Sequence, residues 1–140
     1  MSTALDSNVI SALLRAESPQ AEIRRLLNAA RRDGPLLICG AVHAELRAGP
    51  GVTAELLDRF LSTTGIGIDW TLEEHVWRSA GTAFAGYTAR RRVSGGGRPR
   101  RVLADFIIGA HAAARGAQLL TLDPHHYTTS FPELRVLTPT

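Results

Sequence analysis

The stretch ALDSNVI, residues 4–10, starts apolar at Ala4 and Leu5, breaks into Asp6, Ser7 and Asn8, and turns apolar again at Val9 and Ile10. Three small polar residues between two apolar runs mark the end of a short strand over Thr3–Leu5 and the start of a helix over about Asn8–Ala16. The same alternation continues along the chain. Ser18 as N-cap, Pro19 as first helical residue and Glu22 near the first turn open a helix through Ile23, Leu26, Leu27 and Ala30, stopped by Gly34 and Pro35. PLLICGAV, residues 35–42, is a continuous apolar run that fits a strand buried on both faces, and HAELRAG after it is a short helix closed by Gly49 and Pro50. A helix follows over Thr53–Leu61, then a strand at IGIDW, then a long helix from Thr71 through Tyr87. VLADFIIGAHAAARG is the next helix, with Gly116 as its stop. AQLLTLD and RVLTP supply the last strands. Strands separated by helices define an α/β fold, a mostly parallel sheet of four to five strands flanked by helices.

With 140 residues, 44% hydrophobic and 21% charged, the chain builds one domain over 1–140. All sixteen of its strongly basic side chains are arginine, and the formal net charge is +3. Arginine suits bidentate contact with phosphate, although so small an excess is equally that of a solvated basic surface. Cys39 is the single cysteine, so no intrachain disulfide forms and a reducing compartment is expected. No secretory leader pattern and no run of eighteen apolar residues is found, which predicts a soluble cytoplasmic protein without a membrane span.

Ligands of parallel sheets sit at the carboxyl ends of the strands. Asp6 falls just past the first strand and Asp123 just past Leu119, Leu120 and Leu122, which places both on that rim. Each has a structural explanation, because an Asp between strand and helix is a good N-cap and Asp123-Pro124 a common way to begin a helical turn. Ser7 or Asn8 caps equally well, leaving Asp6 free for another task. Asp105 interrupts an apolar helix face; a buried carboxylate there needs a partner, either a cation or an ion pair with Arg100, Arg101 or Arg115. Gly109, one turn on, is expected to leave space above it. Glu45 has small neighbours one turn away on both sides, at Ala41 and Gly49. Four carboxylates at one end of a sheet repel one another unless cations neutralise them, and oxygen-only ligation suits Mg²⁺ or Mn²⁺.

ALDSNVISAL, GAVHAELRAG, RPRRVLADFIIGAHAAARGAQLLTLDPHHY and FPELRVLTP, in this order and spacing, resemble PIN-domain proteins of the VapC toxin type. The resemblance spans essentially the whole chain. It implies a PIN-like three-layer fold and a metal-dependent endoribonuclease, the toxin of a toxin-antitoxin pair. Such an enzyme hydrolyses RNA phosphodiester bonds to 5′-phosphate and 3′-hydroxyl ends, with Mg²⁺ or Mn²⁺ activating water. By the same resemblance Asp6, Glu45, Asp105 and Asp123 are the catalytic and metal-binding carboxylates. Ser7, Asn8 and Thr121 are the groups that orient them. The chain departs from the pattern at Gly40, where a hydroxyl residue is usual, and the missing cap is expected to loosen Glu45. A cognate antitoxin and a homodimer are implied as partners, with the faces Ile23/Leu26/Leu27 and Leu56/Leu57/Phe60 as sites for either.

SGGGRPRR is not a P-loop, because no Gly-Lys-Ser/Thr follows and the chain has no lysine. Its arginines, Arg98, Arg100 and Arg101, are candidates for gripping an RNA backbone; a solvated loop is the plain alternative. His125 and His126 are polar turn residues or substrate contacts rather than ligands, and His43, His75 and His111 are structural or surface residues. Trp70, Trp77, Phe84 and Tyr87 belong to the core or an interface. Two other functions remain: a catalytically silent PIN-like RNA-binding or interaction module, and a haloacid-dehalogenase-like phosphatase. The phosphatase needs a second Asp where Asn8 stands, and a lysine.

Overall fold

The protein is described by a computed structural model over residues 1–96 and 101–140. Its elements run β1 (Thr3–Leu5), α1 (Ser7–Leu14), α2 (Gln20–Asp33), β2 (Leu36–Cys39), α3 (Gly40–Arg47), α4 (Ala54–Thr64), β3 (Ile66–Asp69), α5 (Glu74–Val93), α6 (Leu103–Ala114), β4 (Gln118–Leu120), α7 (Pro124–Ser130) and β5 (Val136–Leu137). The five strands form one sheet in the order β3-β2-β1-β4-β5, and every pairing is parallel. This is the expected α/β architecture, with the central strand first in sequence.

Register fixes what shares the rim. Leu5 lies level with Leu120, and Cys39 level with Asp69. The ladder continues one step further, as the Asp6 N–H donates to the Leu120 carbonyl at 3.0 Å and the Thr121 N–H to the Leu137 carbonyl at 3.0 Å. Asp6 and Thr121 therefore leave the sheet side by side.

The interior explains the continuous apolar runs. Leu5, Ile38, Leu119 and Leu120 are fully enclosed, between Ile10, Ile23 and Leu57 from some helices and Phe106 and Ile108 from α6. Phe84 and Tyr87 of α5 stack against Phe106 with ring centroids 4.9 and 5.4 Å apart. Trp70 and Trp77, by contrast, are exposed.

Several boundaries differ from the sequence expectation for a common reason. PLLICGAV ends as a strand at Cys39, and its last residues begin α3, where Val42 and Leu46 bury one helix face. An apolar run does not distinguish a strand from a buried helical turn by periodicity. The helix α2 begins after Pro19 with no side-chain cap, so Ser18 does not perform that task. Thr53 does cap α4, accepting the Leu56 N–H at 3.1 Å, and Gly65 ends that helix at φ 72°.

The faces expected to dock partners are largely used internally. Ile23, Leu27 and Leu57 are buried in the core, Leu26 and Phe60 pack against it, and Leu56 alone of the six is exposed. Gly109 leaves no space above Asp105 either. A Cβ there would run into the Phe131 ring, so the glycine exists to let the segment after α7 pack against α6. No helix of the described residues is long and apolar enough to cross a membrane.

Candidate active site

Asp6 is both N-cap and site residue. Its backbone is extended at φ −76°, ψ 155°, and Oδ1 accepts the Ser7 N–H at 2.8 Å, the capping role that Ser7 or Asn8 was expected to take over. Oδ2 accepts a hydrogen bond from the Thr121 hydroxyl at 2.8 Å. That hydroxyl in turn accepts the Asp123 N–H at 3.0 Å. One threonine side chain thus sets the distance between the ends of β1 and β4 and fixes the backbone that carries Asp123. Asn8 fastens the same junction, its Oδ1 accepting the Leu122 N–H at 3.2 Å.

Glu45 reaches the group from α3. The Ser7 hydroxyl donates to Glu45 Oε1 at 2.9 Å, and lies 3.5 Å from Asp6 Oδ1. With one proton, Ser7 gives its strong bond to Glu45. α3 starts without a side-chain cap; its N-cap position is held by Cys39, and Gly40 is already its first helical residue. A Cβ at Gly40 would meet only the Trp70 ring at 3.5 Å. Glu45 is held at its carboxylate end, so the missing cap does not leave it loose.

Asp105 occupies the first turn of α6, not a buried middle, between exposed Val102 and Leu103 on one side and buried Phe106 on the other. Its Oδ2 accepts the Val102 N–H at 3.2 Å. Asp123 precedes Pro124 at the start of α7 and pairs with Arg101. Arg115, another suggested partner for Asp105, instead binds Asp69 and Glu73. Arg98 and Arg100 lie outside the described residues.

The electrostatics tie these acids together. Burial pushes Asp6 above its ordinary pKa; Thr121, Tyr127 and the Ser7 N–H pull it partly back, and the charge of Asp105 adds to the rise. Burial likewise raises Glu45, offset by Ser7 and reinforced by Asp105 and Asp6. Asp105 is raised by burial, with Val102 N–H and Arg101 opposing and Asp123 adding to it. Asp6 is buried and Glu45 and Asp105 are half-buried, three carboxylates brought together from three elements, while Arg101 pairs with Asp123 and also opposes the rise at Asp105.

Tyr127 is the residue that sequence reading passed over. Its ring is fully buried in α7, and its hydroxyl has no partner in full hydrogen-bond geometry among the described residues, although it lies near enough to Asp6 to lower that carboxyl. Burial and then the negative charge of Asp6 drive the phenol far above its ordinary value, so it stays a neutral donor. Its spacing of four from Asp123 was the available signal. His126 packs edge-on against Phe106, with centroids 5.0 Å apart, and burial, then Arg101, push its pKa down. It is a neutral packed ring rather than an open turn residue.

Among the described residues no group of three or more His, Cys, Asp or Glu side chains stands close enough together to hold a metal ion as it is. The donor chemistry nonetheless fits a hard divalent cation: every acid offers oxygen, and no cationic side chain opposes the raised carboxyls of Asp6 and Glu45.

A parallel sheet with acids gathered at its carboxyl rim defines a class, and the chain belongs to it: residues 3–132 match the PIN domain family. Three solved structures share the fold along the full length. The VapBC-1 complex of nontypeable Haemophilus influenzae is 22% identical with a TM-score of 0.70, covering 99% of this chain and 98% of that one. VapBC2 of Rickettsia felis, bound to a DNA fragment from its promoter, is 19% identical with a TM-score of 0.68 and full coverage of both chains. A toxin-antitoxin complex from Klebsiella pneumoniae is 18% identical, with a TM-score of 0.66 and coverage of 99% and 98%. No curated protein matches the sequence.

Proposed function

We propose that the chain is a Mg²⁺- or Mn²⁺-dependent endoribonuclease, the toxin of a toxin-antitoxin pair. The observation that carries this reading is the gathering of Asp6, Glu45 and Asp105, from the end of β1, from α3 and from α6, at one rim beside Asp123, where burial first and neighbouring acids second raise each carboxyl. Membership of the PIN family and the toxin-antitoxin complexes among its structural neighbours support it. Asp6, Glu45, Asp105 and Asp123 would hold the ion. When bound, it supplies activation of water and neutralises charge at the phosphorus.

This chain's own side chains do the rest. Ser7 aims Glu45, Thr121 aims Asp6 and positions Asp123, and Tyr127 offers a neutral donor on the inner side of Asp6. Cleavage gives a 5′-phosphate and a 3′-hydroxyl. The protein acts in the cytoplasm, as a homodimer, and is held in check by a cognate antitoxin. The phosphatase alternative loses its basis with PIN membership, and Asn8, where that enzyme would need an acid, is engaged with Leu122.

A silent PIN module is the second reading, favoured by the Arg101–Asp123 pair that already neutralises one acid. Incubating purified protein with total RNA and Mg²⁺ or Mn²⁺, against EDTA and Asp105→Asn controls, separates the two. Discrete 5′-phosphorylated fragments that vanish in both controls support the enzyme. Intact RNA with retained metal binding supports the silent module.

A further inference from the structure

The ring of Tyr127 lies in the core at 1% exposure, and its hydroxyl, with essentially no accessible surface, lacks a partner in full hydrogen-bond geometry among the described residues. Bulk water does not reach it. Phenylalanine would fill the same space, so the hydroxyl is the part that needs a reason, and buried polar groups are seldom left unpaired. The acceptor beside it is Asp6, because Tyr127 stands close enough to pull on that carboxyl as a donor does. After burial, the strongest influence on the phenol is the charge of Asp6, followed by that of Asp105 and, more weakly, that of Glu45. The hydroxyl thus forms the inner wall of the acidic site.

Asp6 already accepts two short bonds, at Oδ1 from the Ser7 N–H at 2.8 Å and at Oδ2 from the Thr121 hydroxyl at 2.8 Å. A carboxylate offers about four lone pairs over its two oxygens. A bond from Tyr127 occupies a third, whichever oxygen takes it, and leaves one. Hard cations differ in what they ask of such a group: Ca²⁺ takes about six to eight oxygens and accepts both oxygens of one carboxylate, whereas Mg²⁺ holds to an octahedron and dehydrates reluctantly. The donors around Asp6 therefore bear on which ion it suits.

We propose that Tyr127 is a positioning residue whose hydroxyl closes one more lone pair of Asp6, so that this acid meets a cation through a single oxygen and the site favours Mg²⁺ or Mn²⁺ over Ca²⁺. The choice among cations rests on the metal-dependent nuclease reading; the bond to Asp6 stands on the buried hydroxyl itself.

Proton NMR of the metal-free protein in EDTA comes first. A slowly exchanging, downfield phenol hydroxyl is expected, absent in Tyr127→Phe, retained in Tyr87→Phe and moved in Asp6→Asn. Wild type and Tyr127→Phe, whose ring keeps the core filled, are then freed of EDTA and titrated calorimetrically with manganese, magnesium and calcium chloride, with cleavage of single-stranded RNA measured in parallel. Loss of the hydroxyl should weaken Mn²⁺ and Mg²⁺ about tenfold, as loss of a group that orients a metal ligand typically does, and leave Ca²⁺ within about twofold. A packing role alone would not move the ratio of affinities, since a loosened fold lowers all three alike. A hydroxyl proton unmoved in Asp6→Asn, or one Mn²⁺-to-Ca²⁺ ratio in both proteins, would overturn the proposal even where RNA is cut. A ratio shifted as expected in a protein that cuts no RNA with either metal would overturn the nuclease reading and leave the role of Tyr127 standing.

Discussion

Asp6 and Asp69 occupy equivalent places, each at the carboxyl end of a parallel strand, and their fates are opposite. Asp69 receives His111 Nε2 at 2.8 Å from α6 and Arg115 Nε at 2.9 Å from the residue that ends it, and the His111 bond first, then Arg115, holds its carboxyl below the ordinary value. Asp6 receives only neutral donors, and its nearest charged neighbours are acids. One aspartate is neutralised by its surroundings and fastens the edge strand to a helix. The other is left buried among neutral donors and facing like charge. A strand-end Asp is therefore not in itself a catalytic signal; what the helices bring to it decides.

That contrast is easiest to break from its charged side. If the rim acids hold the metal, Asp105→Asn lowers cleavage more than about 100-fold, beyond the loss typical of a supporting residue, with the fold unchanged by circular dichroism. Cleavage within a few fold of wild type would remove Asp105 from the site. Ser7→Ala leaves every acid in place but lets Glu45 swing free. It should cost about 10- to 100-fold in metal affinity or rate, and titration of Mn²⁺ against activity shows which.

Asp69→Ala probes the opposite pole. Stranding the buried His111 Nε2 should lower stability by about 1–3 kcal/mol in urea unfolding, with cleavage per folded molecule unchanged at low temperature. A loss of cleavage without a loss of stability would place Asp69 in the chemistry and erase the distinction between the two aspartates.

The sequence made one side of this comparison legible. Strand-to-helix alternation is a local pattern, and it located the rim with Asp6 and Asp123 on it; Glu45 and Asp105 joined them through the family resemblance. IGIDW was read as a strand, but the partners of its Asp69, His111 and Arg115, lie more than forty residues away in the chain and leave no local mark. The bonds that organise the site span 38 residues from Ser7 to Glu45 and 115 from Thr121 to Asp6. Such pairs are decided by packing, which periodicity does not encode. The same limit applied to Leu57 and Ile23, whose stripes looked like docking faces until the core claimed them.

The smallest effect follows from the signs of the pKa shifts. Asp6, Glu45 and Asp105 are raised in the folded protein, so their contribution to stability is complete below the unfolded carboxylate value, about 4, and is lost as pH rises through the folded values. Asp69 is lowered, so its contribution is present above the unfolded value and lost as pH falls through the folded one. Glu45→Gln keeps an acceptor for Ser7 while removing one of the three opposed charges. Its Tm relative to wild type in EDTA should therefore be unchanged near pH 4 and higher by about 2–4 °C at pH 7. Mg²⁺ should shrink or reverse that advantage, because the wild-type site gains most from the ion. An advantage independent of pH, or untouched by Mg²⁺, would mean that Glu45 is an ordinary surface acid and that the rim does not act as a single charged site.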